Sequence, residues 1–161
     1  DVARIADWLV WLAFLLETVV LEAEHLQATD QRLFAEAFTP QRAATLRADA
    51  LLAERLDAFI ARFARLQDTA GDKLLPALLS RLGEPVASVL DNLDRAARLG
   101  LLAQTSETWI AARTLRNLMV HEYIRNPERL AEAVNQAHEA VPMLVGFVQA
   151  CASFAAARRL V

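Results

Sequence analysis

Leu52-Ala53-Glu54-Arg55-Leu56-Asp57-Ala58-Phe59-Ile60-Ala61-Arg62-Phe63-Ala64-Arg65-Leu66 is the stretch that decides the fold class. Leucines and phenylalanines at 52, 56, 59, 63 and 66 recur at alternating spacings of four and three. That spacing puts them on one helix face, the seam of an antiparallel bundle. It predicts a long helix from about Gln41 to Gln67. Arg55, Arg62 and Arg65 fall off the seam and read as a solvated face. A second seam, Leu130, Val134, Ala137, Val141, Leu144 and Val148, has the same rhythm. Asn126 is placed to cap that helix and Pro127 to open it. Pro142 should kink it, and Arg158 and Arg159 suit the negative charge at its end.

The remaining segments also read as helices. Ile5 to Leu26 forms one with nine consecutive apolar residues, Trp8 to Leu16. A membrane span needs about 18, and Glu17, Glu22 and Glu24 follow too soon. With Asp1 in front, Arg4 the only early cation and no small-residue cleavage site after it, the segment is not signal-like either. A helix apolar on all sides needs burial on all sides, which predicts a subunit interface. Thr29-Asp30 can cap a short helix, Gln31 to Ala37, ended by Thr39-Pro40. Asp68, Gly71 and Asp72 predict a break before a short helix, Lys73 to Leu82, made irregular by Pro76. Pro85 suits a first helical position in a helix to Leu99 that buries Val86, Val89, Leu90, Leu93 and Ala97. Gly100 fits its left-handed cap. Thr105 or Ser106 caps the next helix, whose buried side is Trp109, Ala112, Leu115 and Met119.

No stretch alternates as a strand does. With hydrophobic residues at 55 % and only four glycines and five prolines, the chain reads as all-α and ordered. The expected architecture is one domain over residues 1–161, an up-and-down bundle of four to five long helices plus short ones, paired as a homodimer. The single cysteine, Cys151, excludes an internal disulfide and fits a cytoplasmic setting. His25, His121 and His138 lack metal-ligand spacing, so neither a metal nor a cofactor is expected. The net charge of −3 gives no overall attraction to nucleic acid, which leaves any such binding to a local patch.

Chemistry concentrates in one place. Arg116, Asn117, His121 and Tyr123 fall within eight residues, in a chain with three histidines and one tyrosine. A guanidinium fork matches a phosphate, and an imidazole gives or takes a proton near neutral pH. Together they suffice, in principle, to cleave RNA without a metal. Arginine and histidine five apart are nevertheless common on a solvated helix, so spacing alone does not single them out. At about 100° per residue, Tyr123 falls in line with Arg116, whereas His121 is turned about 140° away and lies about 7.5 Å further along the axis. The helix must bend or end before His121, or a second subunit must complete the site.

Arg116-Asn117-(three residues)-His121-Glu122-Tyr123 resembles the R-N-x-x-x-H-x-Y signature of the HEPN superfamily, in particular its HepT-like branch. The resemblance is best over Asp68 to Val148, and the N-terminal third carries no matching motif. It implies a metal-independent endoribonuclease, the toxin of a toxin–antitoxin pair, acting as a dimer on RNA and not on a membrane. Arg116 would bind the scissile phosphate, His121 would transfer the proton, and Asn117 would position one or the other. Asp68 and Arg113 are candidate auxiliary residues, since an acid near 68 could orient the arginine. The resemblance also implies a minimal nucleotidyltransferase antitoxin that places AMP on Tyr123. The alternative is a non-catalytic companion module that binds a nucleotide or the nucleotidyltransferase through the same residues.

Overall fold

In the computed structural model, which describes residues 2–161, every regular element is helical; Asp1 lies outside the described residues. The first helix, α1 (Val2–Leu33), is longer than its sequence suggests. No separate helix starts at Gln31. Thr29 is buried inside α1, where its hydroxyl meets the Arg62 guanidinium, so it is unable to cap. Thr39 caps instead of ending: its hydroxyl accepts the Arg42 N–H and opens the short α2 (Pro40–Ala44). The expected helix from Gln41 to Gln67 is therefore split. The chain turns at 45–49, and the Asp49 carboxylate accepts the Leu52 N–H to start α3 (Ala50–Gln67).

The expected break at Asp68–Asp72 is a continuation. Residues Asp68–Leu74 form a π-helical turn that runs directly into α4 (Leu75–Arg81). Its signature is the Leu75 N–H donating five residues back to the Ala70 carbonyl. Pro76 explains the wider turn, because a proline ring inside an α-helix clashes with the carbonyl four residues earlier. Helix α5 (Val89–Arg98) starts later than Pro85 suggests, with the Ser88 hydroxyl accepting the Asp91 N–H. Val86 and Leu90, expected in the core, are exposed; Leu93 is buried. Then come α6 (Ser106–Glu122) and α7 (Pro127–Ala157), which continues through Pro142.

Both sequence seams lie in the core: Leu52, Leu56, Phe59, Phe63 and Leu66 of α3, and Leu130 to Val148 of α7, join one contiguous hydrophobic cluster. Helix α7 is long and apolar enough to cross a membrane by length and composition, but its seam faces this core. Long-range pairs fix the directions. Thr69 with Glu22, and Arg62 with the His25 carbonyl, set α1 antiparallel to α3. Asp68 with Arg116, and Ala53 with Tyr123, do the same for α3 and α6. On α3, Arg62 and Asp57 are about 140° apart, so α1 and α6 occupy opposite flanks of α3. Arg62 is thus a tie to α1 and not part of a solvated face. His138, expected to be an ordinary polar-face residue, stacks on Phe34 with ring centroids 3.8 Å apart and places Nδ1 2.6 Å from Asp30 Oδ1.

The helix ends allow a direct test of backbone strain. After α5, Gly100 has φ 79° and donates its N–H to Ala97 O, while the Leu101 N–H reaches Ala96 O. The same paired bonds end α7, but there Arg159 holds the left-handed position at φ 53°. A Cβ on Gly100 would meet nothing within 4 Å, so only conformation matters. Gly100→Ala should cost about 1 kcal/mol and Arg159→Gly should gain up to about 1 kcal/mol. Urea denaturation of the two variants checks both signs.

Candidate functional site

The Thr105 hydroxyl accepts the Thr108 N–H and starts α6. One turn later Trp109, 1 % exposed, fixes the helix against its neighbours. Its ring meets Phe147 edge-on at 5.0 Å. It also lies against Gly71 in the π turn, where a Cβ would come within 3.2 Å of the indole. Only a glycine gives the indole this approach without displacement. Above that anchor, two arginines on successive turns reach the π turn. Arg113 Nη2 donates to Asp72 Oδ2 at 2.6 Å. Arg116 Nη1 donates to both Asp68 oxygens, at 2.8 and 2.9 Å.

The Arg116 pair is 33 % exposed on the arginine and 45 % on the aspartate. At that exposure it adds about 0.2–1 kcal/mol of stability, so orientation is its larger consequence. One nitrogen takes the carboxylate. The Nε and Nη2 edge has no partner among the described residues and remains available to an anion.

Next to this pair lies an open groove of ≈ 750 Å³ between α3 and α6. Asp68, Arg116, Asn117 and His121 all line it, over a floor that includes Ala61 and Ala64 of α3. Asn117 and His121, four apart, share one face of α6. Both are exposed, and neither has a hydrogen-bond partner among the described residues. Helix α6 does not end before His121, since it continues to Glu122. The groove is therefore lined by a guanidinium, an amide, an imidazole and a carboxylate.

No protein-family model, curated protein or solved structure matches this chain.

Arg113 and Tyr123 do not line the groove. Arg113 is held by Asp72. Tyr123 turns its ring to α3 and donates its hydroxyl to the Ala53 carbonyl at 3.4 Å. Burial, together with the Asp57 carboxylate that draws the same hydroxyl, pushes its pKa up to about 12. Stability contributed by the neutral phenol is intact below pH ~10 and is lost as pH rises through about 12. Because this is the only tyrosine, ultraviolet titration of phenolate should show one midpoint near 12 when folded and near 10 in denaturant. A folded midpoint at the ordinary value would mean that the hydroxyl is not held against α3. Burial likewise pushes the Cys151 thiol up to about 12, which keeps it un-ionised and unreactive.

Asp72 was only part of a predicted break in the sequence reading, and its role as the partner of Arg113 was missed. Ala61 and Ala64 were missed as well. Two small residues three apart on the side of α3 away from its seam are the signal that a groove can form there.

Proposed function

We propose that this protein is a metal-independent endoribonuclease, the toxin of a toxin–antitoxin pair of the HepT-like HEPN type. The single observation that carries the reading is the shared groove of Arg116, Asn117, His121 and Asp68. Arg116, steered by Asp68, binds the scissile phosphate through its unengaged edge and stabilises the charge that builds there. His121 moves the proton at the sugar oxygen as the ribose 2′-hydroxyl attacks phosphorus and the 5′-oxygen leaves. Asn117, one turn before His121 on the same face, positions the phosphate or the imidazole.

Arg116 and His121 remain about 140° apart around α6, so a second copy completes the site. Leu118 and Val120 line the groove and are 42 % and 66 % exposed, and Ile124, just past the end of α6, is 88 % exposed, which supports an apolar dimer contact at this end of the groove. A dimer formed through α1 would leave the grooves apart, because α1 lies on the opposite flank of α3. Antiparallel contacts of α3 with α1 and α6 support an up-and-down bundle as its subunit. The setting is cytoplasmic, and the partner is a minimal nucleotidyltransferase that places AMP on Tyr123. That transfer requires the phenol to leave Ala53 and Asp57, so the end of α6 must loosen first.

The test is incubation of the purified protein with total RNA in EDTA, beside Arg116→Ala. Cleavage by the wild type alone is the expected result. No cleavage by folded protein, shown by mass spectrometry to carry no AMP, would sink the nuclease reading and favour a non-catalytic nucleotide-binding companion.

A further inference from the structure

Beyond the groove, the most unusual surface is the first half of α1. Trp8 and Trp11 are 55 % and 46 % exposed, whereas Trp109 is buried. Two depressions meet beside Trp8, Ala77 and Ser80. One, of ≈ 620 Å³, adds Arg4, Leu12 and Arg81; the other, of ≈ 330 Å³, adds Trp11, Asp72, Lys73 and Val86. Among the described residues, Arg4 and Arg81 have no hydrogen-bond or ion-pair partner. Lys73 is exposed, and its charge acts on Glu22 of α1. Of the acids nearby, Asp72 is held by Arg113, and Asp7 lies one turn from Arg4.

Asp68, Asp72 and Lys73 stand on one helical path. Lys73 is only about 7 Å along the axis from the acid that steers Arg116. The groove and the tryptophan surface share no lining residue; the π turn and its Arg113–Asp72 pair lie between them. We propose that single-stranded RNA follows this path, its bases stacking on Trp8 and Trp11 and its phosphates meeting Lys73, Arg81 and Arg4. The inference rests on the nuclease reading for its substrate and extends that reading to a second contact region.

Aromatic faces interleaved with cations suit a single strand, because every base has a π-face and every linkage a charge. The surroundings disfavour the other occupants of an exposed apolar surface. A second copy docked across a two-fold axis at Trp8 would set one rim carrying Arg4, Lys73 and Arg81 against another of the same charge. An anionic bilayer would meet Glu17 and Glu24, which continue along the exposed side of α1.

The test uses the His121→Ala protein in EDTA, so that RNA is not consumed, with a short oligouridylate as the probe. Saturable quenching of tryptophan fluorescence is expected, because the two exposed indoles report stacking. Binding followed by anisotropy of labelled oligouridylate should weaken about tenfold with Trp8→Ala and again with Trp11→Ala. Trp8→Phe, which keeps a ring, should retain most of it. The slope of log affinity against log salt should be about −3, with Arg116 counted beside Lys73, Arg81 and Arg4, and should lose about 0.7 with Arg81→Ala. Both tryptophans are surface residues, so circular dichroism should show these variants folded.

Oligouridylate binding that ignores both tryptophans would overturn this inference and leave the nuclease reading intact. Tryptophan-dependent binding by a wild-type protein that cleaves nothing would do the reverse. Quenching by dodecanoate or by phosphatidylglycerol vesicles, with none by oligouridylate, would assign the surface to an amphiphile and overturn the RNA path.

Discussion

Replacing His121 by alanine is expected to slow RNA cleavage by about 10²–10⁴-fold, the usual contribution of a positioned acid or base. Oligonucleotide binding should stay nearly unchanged. The imidazole is exposed and has no partner among the described residues, so its removal leaves no buried group unsatisfied and no cavity. Unfolding free energies of variant and wild type should agree within about 0.5 kcal/mol. This combination separates chemistry from structure. Arg116→Ala should also impair catalysis, but it weakens binding too and leaves Asp68 without its cation. Single-turnover cleavage at saturating protein, beside direct binding, distinguishes the two. If His121→Ala cleaved at the wild-type rate, the imidazole would have no catalytic role.

Trp109→Ala should have the largest effect on stability. The side chain is 1 % exposed, packs edge-on against Phe147 and lies on Gly71. Truncating such an indole costs about 3–5 kcal/mol, a large part of the 5–15 kcal/mol typical of a folded domain. At common urea sensitivities the midpoint should fall by about 2 M. The loss should reach the groove as well, because Trp109 sets the height of α6 over the π turn that carries Asp68 and Asp72. Urea unfolding followed by circular dichroism measures the first effect. A cost below about 1 kcal/mol would mean that the helix is anchored elsewhere.

Helix seams were legible because burial imposes a period on the sequence. The positions from Leu52 to Leu66 and from Leu130 to Val148 follow that period and all enter the core. Caps were legible where the capping atom is local, as at Thr105 and Asn126. Features depending on distant partners were not. Thr29 had the chemistry of a cap, but Arg62 claims its hydroxyl. His138 had no seam position, yet it meets Asp30 across 108 residues. Pro85 fitted a helix start, but Ser88 made the better cap. In the site, the linear motif named Arg116, Asn117 and His121, and Asp68 was picked out as an auxiliary. The groove itself requires α3 alongside α6; Ala61 and Ala64 leave room for it, but no local pattern names the helix that lies there. Tyr123 shared a line with Arg116 on an ideal helix, but its ring is drawn to the Ala53 carbonyl and away from the groove.

The π turn has one further consequence. Apolar positions run at an average spacing near 3.5 along α3 and then at four, through Leu66, Ala70, Leu74 and Leu78, all buried. On an unbroken α-helix, steps of four would rotate the stripe by about 40° each time and turn α4 away from the core. The wider turn absorbs that rotation and works as a vernier between two helical rhythms. Deleting one residue between Ala70 and Leu74 would leave steps of four, three and four, over which an ordinary α-helix drifts by only about 20° in all. The segment thus carries one residue more than an α-helical stripe needs, and the wide turn is where that residue is taken up.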